Sequence, residues 1–478
     1  MSINFSPEIE NFIKHFVKEL NENNVAIFAG AGLSVPAGYV DWKNLLRPLA
    51  EDLNIDIERE HDLVSLAQYH LNANGRHRLN QQLLDEIGVS KEPTENHNIL
   101  ARLPINTFWT TNYDKLNEKA LENEGKIVDV KYTNNQLATT KKGRNAVLYK
   151  MHGDIDHPDL AVITKDDYEE YSTNFGPFIN ALSGDLISKT FLFLGFSFTD
   201  PNLDYVMSRI RITFKKHQRQ HFCIFRRVNR DHFSSEDEYI YAKTKQELVI
   251  KDLARFSVKT LLVDSYPEIT EILAKIEKVY RQKTIFFSGS AHEFGNWEQS
   301  KVEGFLSRLG EVLIDKDYRI SSGIGLGIGN ALITGAIKSI YGKHGGNVAD
   351  FLTMRPFPQF IEDKVLRDTT WATYRKEMIR YAGISIFFMG NKIENGYIVD
   401  ADGVQKEFEI AEKLGLLLIP VGASGYMAKK LWDRVVADCK KFYPTATDKF
   451  VEAIKSLGED VEEPDMLISK LVNVLELA

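Results

Sequence analysis

The pattern that most limits the architecture of this chain is a short apolar run that ends in a glycine-rich turn and opens into a helical stretch. It occurs at Val25-Ala-Ile-Phe-Ala-Gly-Ala-Gly, again at Thr284-Ile-Phe-Phe-Ser-Gly-Ser, and a third time at Tyr318-Arg-Ile-Ser-Ser-Gly-Ile-Gly-Leu-Gly. Brief apolar runs alternating with helical periodicity belong to parallel α/β sheets. Such sheets take their ligands at the carboxyl ends of the strands. The fresh start near residue 284 predicts two α/β domains, residues 1–283 and 284–478, with Ile269–Arg281 closing the first. A chain of 478 residues has ample length for two cores.

Within the first domain, Leu63, Leu66, Ala67 and Leu71 recur on one helical face, and Leu79, Leu83 and Ile87 do so after a break at Gly75. This predicts a helical insertion over Asp62–Ile87. Further strands are expected at Thr107–Thr111, Ala146–Met151, Phe191–Phe196 and Phe222–Phe225. In the second domain, Ile384–Met389 and Leu416–Val421 read as buried strands. Helices are expected at Ala331–Ile340, Trp371–Tyr381, Gln405–Leu414 and Met466–Leu475.

Charge and cysteine content narrow the chemistry. Lys and Arg number 59 against 67 Asp and Glu, a formal charge of −8. Bulk attraction for nucleic acid or an anionic membrane is therefore not expected, and an anionic ligand needs a local device. The basic cluster Lys215-Lys216-His217-Gln-Arg219, with Arg226 and Arg227, reads as a solvated patch. Two cysteines, Cys223 and Cys439, cannot build a four-cysteine zinc module or a disulfide framework. His61, His70, His77 and His97 lack metal-ligand spacing, so no metal is expected. The N-terminal residues hold no basic segment leading into an apolar one, and no apolar run approaches membrane-spanning length; a cytoplasmic chain is expected.

Polar residues gather at four expected strand ends in the first domain. Gly30-Ala-Gly-Leu-Ser34 follows Val25–Ala29, and Trp109-Thr-Thr-Asn-Tyr-Asp114 follows Ile105–Phe108. Met151-His152-Gly153-Asp154 follows Val147–Lys150, and Leu194-Gly195-Phe196-Ser197 with Thr199-Asp-Pro-Asn202 follows Phe191–Phe193. Singly, each has a plain structural account: a tight turn, a strand-end cap, a satisfied core histidine. Four polar strand ends of one parallel sheet converge on a single crevice.

The ordered motifs GAGLS, TTNYD, HGD and GFSFTD resemble those of the sirtuin-like (Sir2-type) NAD-consuming fold, over roughly residues 10–275. The resemblance implies a Rossmann-like sheet with NAD+ across its crevice. It assigns Gly30, Ala31, Gly32 and Ser34 to the pyrophosphate, Asn112 to the nicotinamide ribose and attacking water, and Asp114 to the carboxamide. His152 is implied as the general base, and Gly195, Ser197 and Asp200 as the lining of the adenosine side. Two departures from protein-deacylating sirtuins stand out: the zinc cysteines are absent, and Asp41-Trp42-Lys43 replaces their Asp-Phe-Arg-type segment. Hydrolysis of NAD+ by water is the simpler outcome. Deacylation, ADP-ribosyl transfer and non-catalytic nucleotide sensing remain alternatives.

In the second domain, Gly323, Gly325, Gly327 and Gly329 precede a helix, an arrangement that can cradle phosphate. A closely packed strand–helix junction explains the same glycines. Arg375, Arg380 and Lys392 supply cations, and Glu407 an acceptor for ribose hydroxyls. Together these resemble the SLOG family of Rossmann-like nucleotide sensors over roughly residues 283–478. That resemblance places Ser288, Gly289, Ser290, Arg375, Lys392 and Glu407 around a signal molecule. A sirtuin-like domain followed by a SLOG-type domain is similar to effectors of the Thoeris anti-phage system. It implies an NAD+ hydrolase activated by a cyclic ADP-ribose isomer that a TIR-domain partner makes, and assembly as a homotetramer.

Overall fold

A computed structural model describes residues 5–344, 346–358 and 361–478. The chain forms two compact units, one ending at Glu277 and the other beginning at Lys278, so the division falls inside the helix Pro267–Arg281.

The first unit is built on seven strands: β1 (Val25–Ala29), β2 (Thr107–Thr110), β3 (Val128–Lys131), β4 (Ala146–Lys150), β5 (Thr190–Leu194), β6 (His221–Arg226) and β7 (Val258–Val263). Their order across the sheet is β3-β4-β2-β1-β5-β6-β7, and every neighbouring pair is parallel. β1 and β5 are buried along their whole length, as strands covered by helices on both faces must be. The chain leaves β1 toward β2 on one side and returns on the other at β5. This reversal opens a crevice at the carboxyl ends of those strands.

The helical insertion is a pair, Leu63–Asn74 and Arg76–Ile87, interrupted at Gly75, whose φ is +77°. Asp62 caps the first helix through the Ser65 amide at 3.0 Å. Leu66, Leu79 and Leu83 pack with Leu46 and Leu49 of the helix Trp42–Asp52 into one cluster with Tyr113, Ile155 and Ile163. The insertion therefore supports the turns that follow β2 and β4. Asp41 caps the helix Trp42–Asp52, and Lys43 pairs with Glu58.

The second unit carries β8 (Thr284–Ser290), β9 (Arg319–Ser322), β10 (Leu352–Met354), β11 (Ile384–Met389), the hairpin strands β12 (Asn391–Glu394) and β13 (Tyr397–Asp400), and β14 (Leu417–Pro420). The main sheet runs β10-β9-β8-β11-β14, all parallel, with its reversal at β8. Phe286, Phe305, Leu332, Phe388, Phe408 and Leu471 lie in its core.

β3, β7, β10 and the hairpin were not apparent from hydropathy. β3 reads Val-Asp-Val-Lys, yet Asp129 and Lys131 are buried because they pair at 2.7 Å, with Arg144 on the other carboxylate oxygen at 2.9 Å. The helix expected at Trp371–Tyr381 is Lys364–Ile379, which leaves Arg380 as its C-cap. Among the described residues, no helix is long and apolar enough to cross a membrane.

Candidate active site

The turn Gly30–Ser34 leaves β1 against the turn that leaves β5. A Cβ on Gly30 would meet the Gly195 carbonyl oxygen at 2.4 Å, and one on Gly32 the Gly195 Cα at 2.9 Å. The Gly30 and Gly32 amides donate to the carbonyls of Leu194 and Gly195, both at 2.9 Å. Close approach of two backbones thus accounts for these glycines. The Leu33 amide donates to the Gly30 carbonyl at 3.0 Å, so three of the turn's amides are spent inside the protein.

Ser34 links the turns of β1 and β2. Its hydroxyl donates to Asp114 Oδ2 at 2.8 Å and accepts from Asn112 Nδ2 at 3.0 Å. All three residues are buried. The Asn112 amide donates to Thr110 Oγ1 at 2.9 Å, and that hydroxyl donates to the Ala29 carbonyl at 2.8 Å. Asp114 Oδ1 accepts from the Leu116 amide at 3.0 Å. The chain of bonds fixes the Asn112 and Asp114 rotamers by construction, as a preorganised site requires.

His152, 4% exposed, follows β4. Its Nε2 stands 3.0 Å from Asp200 Oδ2 without a hydrogen-bonding alignment, so the contact is electrostatic. The ring lies edge-on to Tyr168 and Tyr171, with centroids 5.3 and 6.4 Å away. Asp200 also caps the helix Pro201–Phe214 through the Leu203 amide at 2.9 Å. Burial acts to raise the Asp200 carboxyl, but His152 and the Leu203 and Asn202 amides outweigh it and hold it below its ordinary range. Tyr168 is pushed well up, by burial first and the Asp200 charge second. The stability that Asp200 contributes is present above the unfolded carboxyl pKa and is lost as pH falls through the lower folded value. The Tm advantage of the wild type over Asp200→Asn, read by thermal melts, is therefore expected to shrink once pH drops below about 4.

Asn202 Nδ2 and His152 Nε2 are buried and have no hydrogen-bond partner among the described residues. Ser197 lies apart on the exposed stretch of the β5 turn, bonded to Thr199 at 2.8 Å. The structure thus brings together Ser34, Asn112 and Asp114, pairs His152 with Asp200, and leaves Ser197 outside both groups. The sequence assigns no role to Lys150 or Tyr168, and Asn202 figures in it only as the last residue of a polar strand end. Lys150 carried one signal, a lone cation closing an apolar strand. An open, mainly apolar groove lined by Phe225, Phe233, Tyr241 and Val249 shares no residue with this site.

In the second unit, Ser288 donates to Glu407 Oε2 at 2.6 Å, and Arg375 Nε faces Glu407 Oε1 at 3.4 Å. The Arg375 guanidinium lies over Phe357 and Trp371, 4.8 and 5.8 Å from the ring centroids. Burial pushes the Glu407 carboxyl up; Ser288 and Arg375 offset only part of this. Gly289 packs on the Phe388 carbonyl, and Ser290 donates to the Asn391 carbonyl at 3.0 Å. Lys392 stands apart on β12, paired with Asp402 at 2.6 Å. A Cβ on Gly325 would lie 1.8 Å from the Gly289 oxygen and one on Gly327 2.0 Å from the Ala291 oxygen, so these glycines also serve close packing. Ile324 has φ +54°, a strained conformation for a β-branched residue.

Among the described residues, no group of three or more His, Cys, Asp or Glu is arranged to hold a metal ion. Residues 106–250 match the model of the SIR2-like domain, and residues 268–478 that of the Sir2- and TIR-associating SLOG family. The chain is 58% identical to the NAD(+) hydrolase ThsA of Acinetobacter baumannii (strain 532279), over 99% of this chain and 100% of that one. It is 49% identical to the protein of the same name from Bacillus cereus (strain MSX-D12), over 99% of both, and 45% identical to that of Cytobacillus dafuensis, over 91% of this chain and 90% of that one. With a SIR2-like sheet, a SLOG sheet and identity that runs nearly end to end, the chain belongs to the ThsA family.

Proposed function

We propose that the first unit hydrolyses NAD+ to nicotinamide and ADP-ribose. The observation that carries this reading is the buried set Ser34, Asn112, Asp114 and His152 at the carboxyl ends of adjacent parallel strands. The relatives' name, NAD(+) hydrolase, supports it. Cleavage of the nicotinamide–ribosyl bond builds oxocarbenium character on the ribose, which preorganised dipoles stabilise without reorganising. Asp114 holds the carboxamide, Asn112 orients the ribose and the attacking water, and His152 takes that water's proton. The oxygen of water joins the ribose C1′, nicotinamide leaves, and one proton is released. NAD+ here is a substrate, with its pyrophosphate at Ala31 and Ser34.

The second unit takes up a cyclic ADP-ribose isomer made by a TIR-domain partner, and this uptake activates the first. Ser288, Arg375 and Glu407 form its buried floor and Lys392 its exposed edge. The Sir2- and TIR-associating description of the matching family supports this assignment. An activator shifts the population only by binding the active state better than the resting one. A cytoplasmic homotetramer that depletes NAD+ in infected cells completes the reading. The test is nicotinamide release from NAD+ with and without a panel of cyclic ADP-ribose isomers; no release under any condition rejects it. Arg375→Ala is expected to bring the ratio of stimulated to unstimulated rate close to one, because it removes the guanidinium that answers both Glu407 and a phosphate. The same assay over a range of activator concentrations checks this.

A further inference from the structure

Lys150 ends β4 and is 0% exposed. Lysine is almost never buried so completely unless it is paired. Its ammonium reaches four oxygens: the carbonyls of Tyr113 at 3.0 Å and Asp114 at 2.7 Å, Glu118 Oε1 at 2.9 Å and Asp154 Oδ2 at 2.6 Å. Both carbonyls lie in the turn that carries Asn112 and Asp114. Asp154 lies in the turn that begins with His152, and Glu118 on the helix Leu116–Asn123.

Burial works against the charge on Lys150, but the two carboxylates outweigh it and keep the ammonium above its ordinary range. Burial also pushes Glu118 up, and Lys150 offsets only part of that. Glu118 Oε2 has no hydrogen-bond partner among the described residues, whereas Asp154 Oδ1 accepts from the Asp156 amide at 2.9 Å. The centre is thus organised around one cation with Asp154 as its firmest counter-ion. Beyond it, the two turns are joined by the Ile155 amide on the Tyr113 carbonyl at 3.1 Å, by the Met151 amide on the Thr110 carbonyl at 2.9 Å, and at the surface by Lys115, which pairs with Asp156 and stands 3.9 Å from Asp154 Oδ1. Neither backbone bond reaches Asp114.

We propose that Lys150 is a positioning residue that ties the Asn112 turn and the His152 turn to one buried point and so fixes their separation. Its kinetic consequence rests on the NAD+ hydrolysis reading above. Displacing a reacting group by about 1 Å can cost a hundredfold in rate, so a tie of this kind acts on kcat far more than on KM.

Lys150→Met alone leaves a carboxylate buried without its cation and is expected to be strongly destabilising. The informative variant is therefore Lys150→Met with Glu118→Gln and Asp154→Asn, which removes the charges together while keeping shape. In the full chain this triple variant is expected to melt within a few degrees of the wild type, to lose kcat by roughly 30- to 100-fold and to keep KM within about threefold. Hydrogen exchange read by mass spectrometry is expected to quicken in residues 111–118 and 152–157 and to stay unchanged in β1 and β5. A triple variant that fails to fold, recovers kcat to within about threefold, or exchanges like the wild type in either turn overturns the proposal. If the wild type itself releases no nicotinamide, the hydrolase reading fails, and the exchange comparison still decides the role of Lys150.

Discussion

His152→Ala is expected to lower the rate of nicotinamide release by roughly 10²- to 10⁴-fold at saturating NAD+, the range that a positioned general base contributes. The residue is buried, lies two positions beyond the end of β4, and has its Nε2 3.0 Å from Asp200 Oδ2 with no hydrogen bond to it. Its other surroundings are the edges of Tyr168 and Tyr171, which hold the ring's plane but exchange no proton with it. The fold should survive, because β1, β2, β4 and β5 and their core do not depend on this side chain. Asn112→Ala acts on the same step, so the double variant is expected to cost much less than the product of the two single losses. Initial rates of nicotinamide formation, with melting curves run on the same preparations, check both statements. A His152→Ala protein that keeps more than about a tenth of the wild-type rate would exclude His152 as the base. Multiplicative losses would mean that Asn112 and His152 serve separate steps.

What the sequence made legible follows the physics of parallel sheets. β1, β5 and β11 are continuous apolar runs, so their existence and polarity were readable, as was the break at Gly75 between the two inserted helices. β3 was hidden because hydropathy scores Asp129 and Lys131 as two solvated charges and does not register that they pair with each other and with Arg144, which lets them be buried. The four polar strand ends were found because each breaks an apolar run abruptly. What they touch was not readable. Ser34 with Asp114 spans 80 positions and Ser288 with Glu407 spans 119, and only the topology brings such pairs together. Lys150 illustrates the harder limit. A cation at the end of a strand is usually solvent-facing, and nothing local shows that four oxygens surround it. Of the two accounts that the glycine turns allow, a phosphate cradle and a closely packed junction, the approach of a second backbone answers to the packing one.

That close packing carries the other large expected effect. Gly195→Ala should destabilise the first unit by roughly 3–6 kcal/mol, combining a left-handed alanine, an overpacked contact and a strained hydrogen bond. Gly195 has φ +63°, and its added Cβ would lie 2.1 Å from the Leu33 amide nitrogen and 2.5 Å from the Gly32 carbonyl carbon. Both are backbone atoms, so no side chain can yield. The turn that carries Ser34 must retreat, and the Gly32 amide's bond to the Gly195 carbonyl goes with it. Thermal melts are expected to fall by roughly 10 °C or more, and the fraction that stays folded should lose activity because Ser34 no longer meets Asn112 and Asp114. Two controls separate the causes. Gly75 has φ +77° and ψ 173°, a region that is essentially glycine's alone, with no atom within 4 Å of an added Cβ, so Gly75→Ala isolates a backbone cost of roughly 1–3 kcal/mol. Gly184, inside the helix Gly176–Ser188, is equally open and has no positive φ; Gly184→Ala is expected to be neutral or stabilising by up to about 1 kcal/mol. If Gly195→Ala costs no more than Gly75→Ala, the two turns are not in fixed contact. Gly30 and Gly32 would then have to be explained by a ligand at their amides, and the phosphate-cradle account of this turn would replace the packing one.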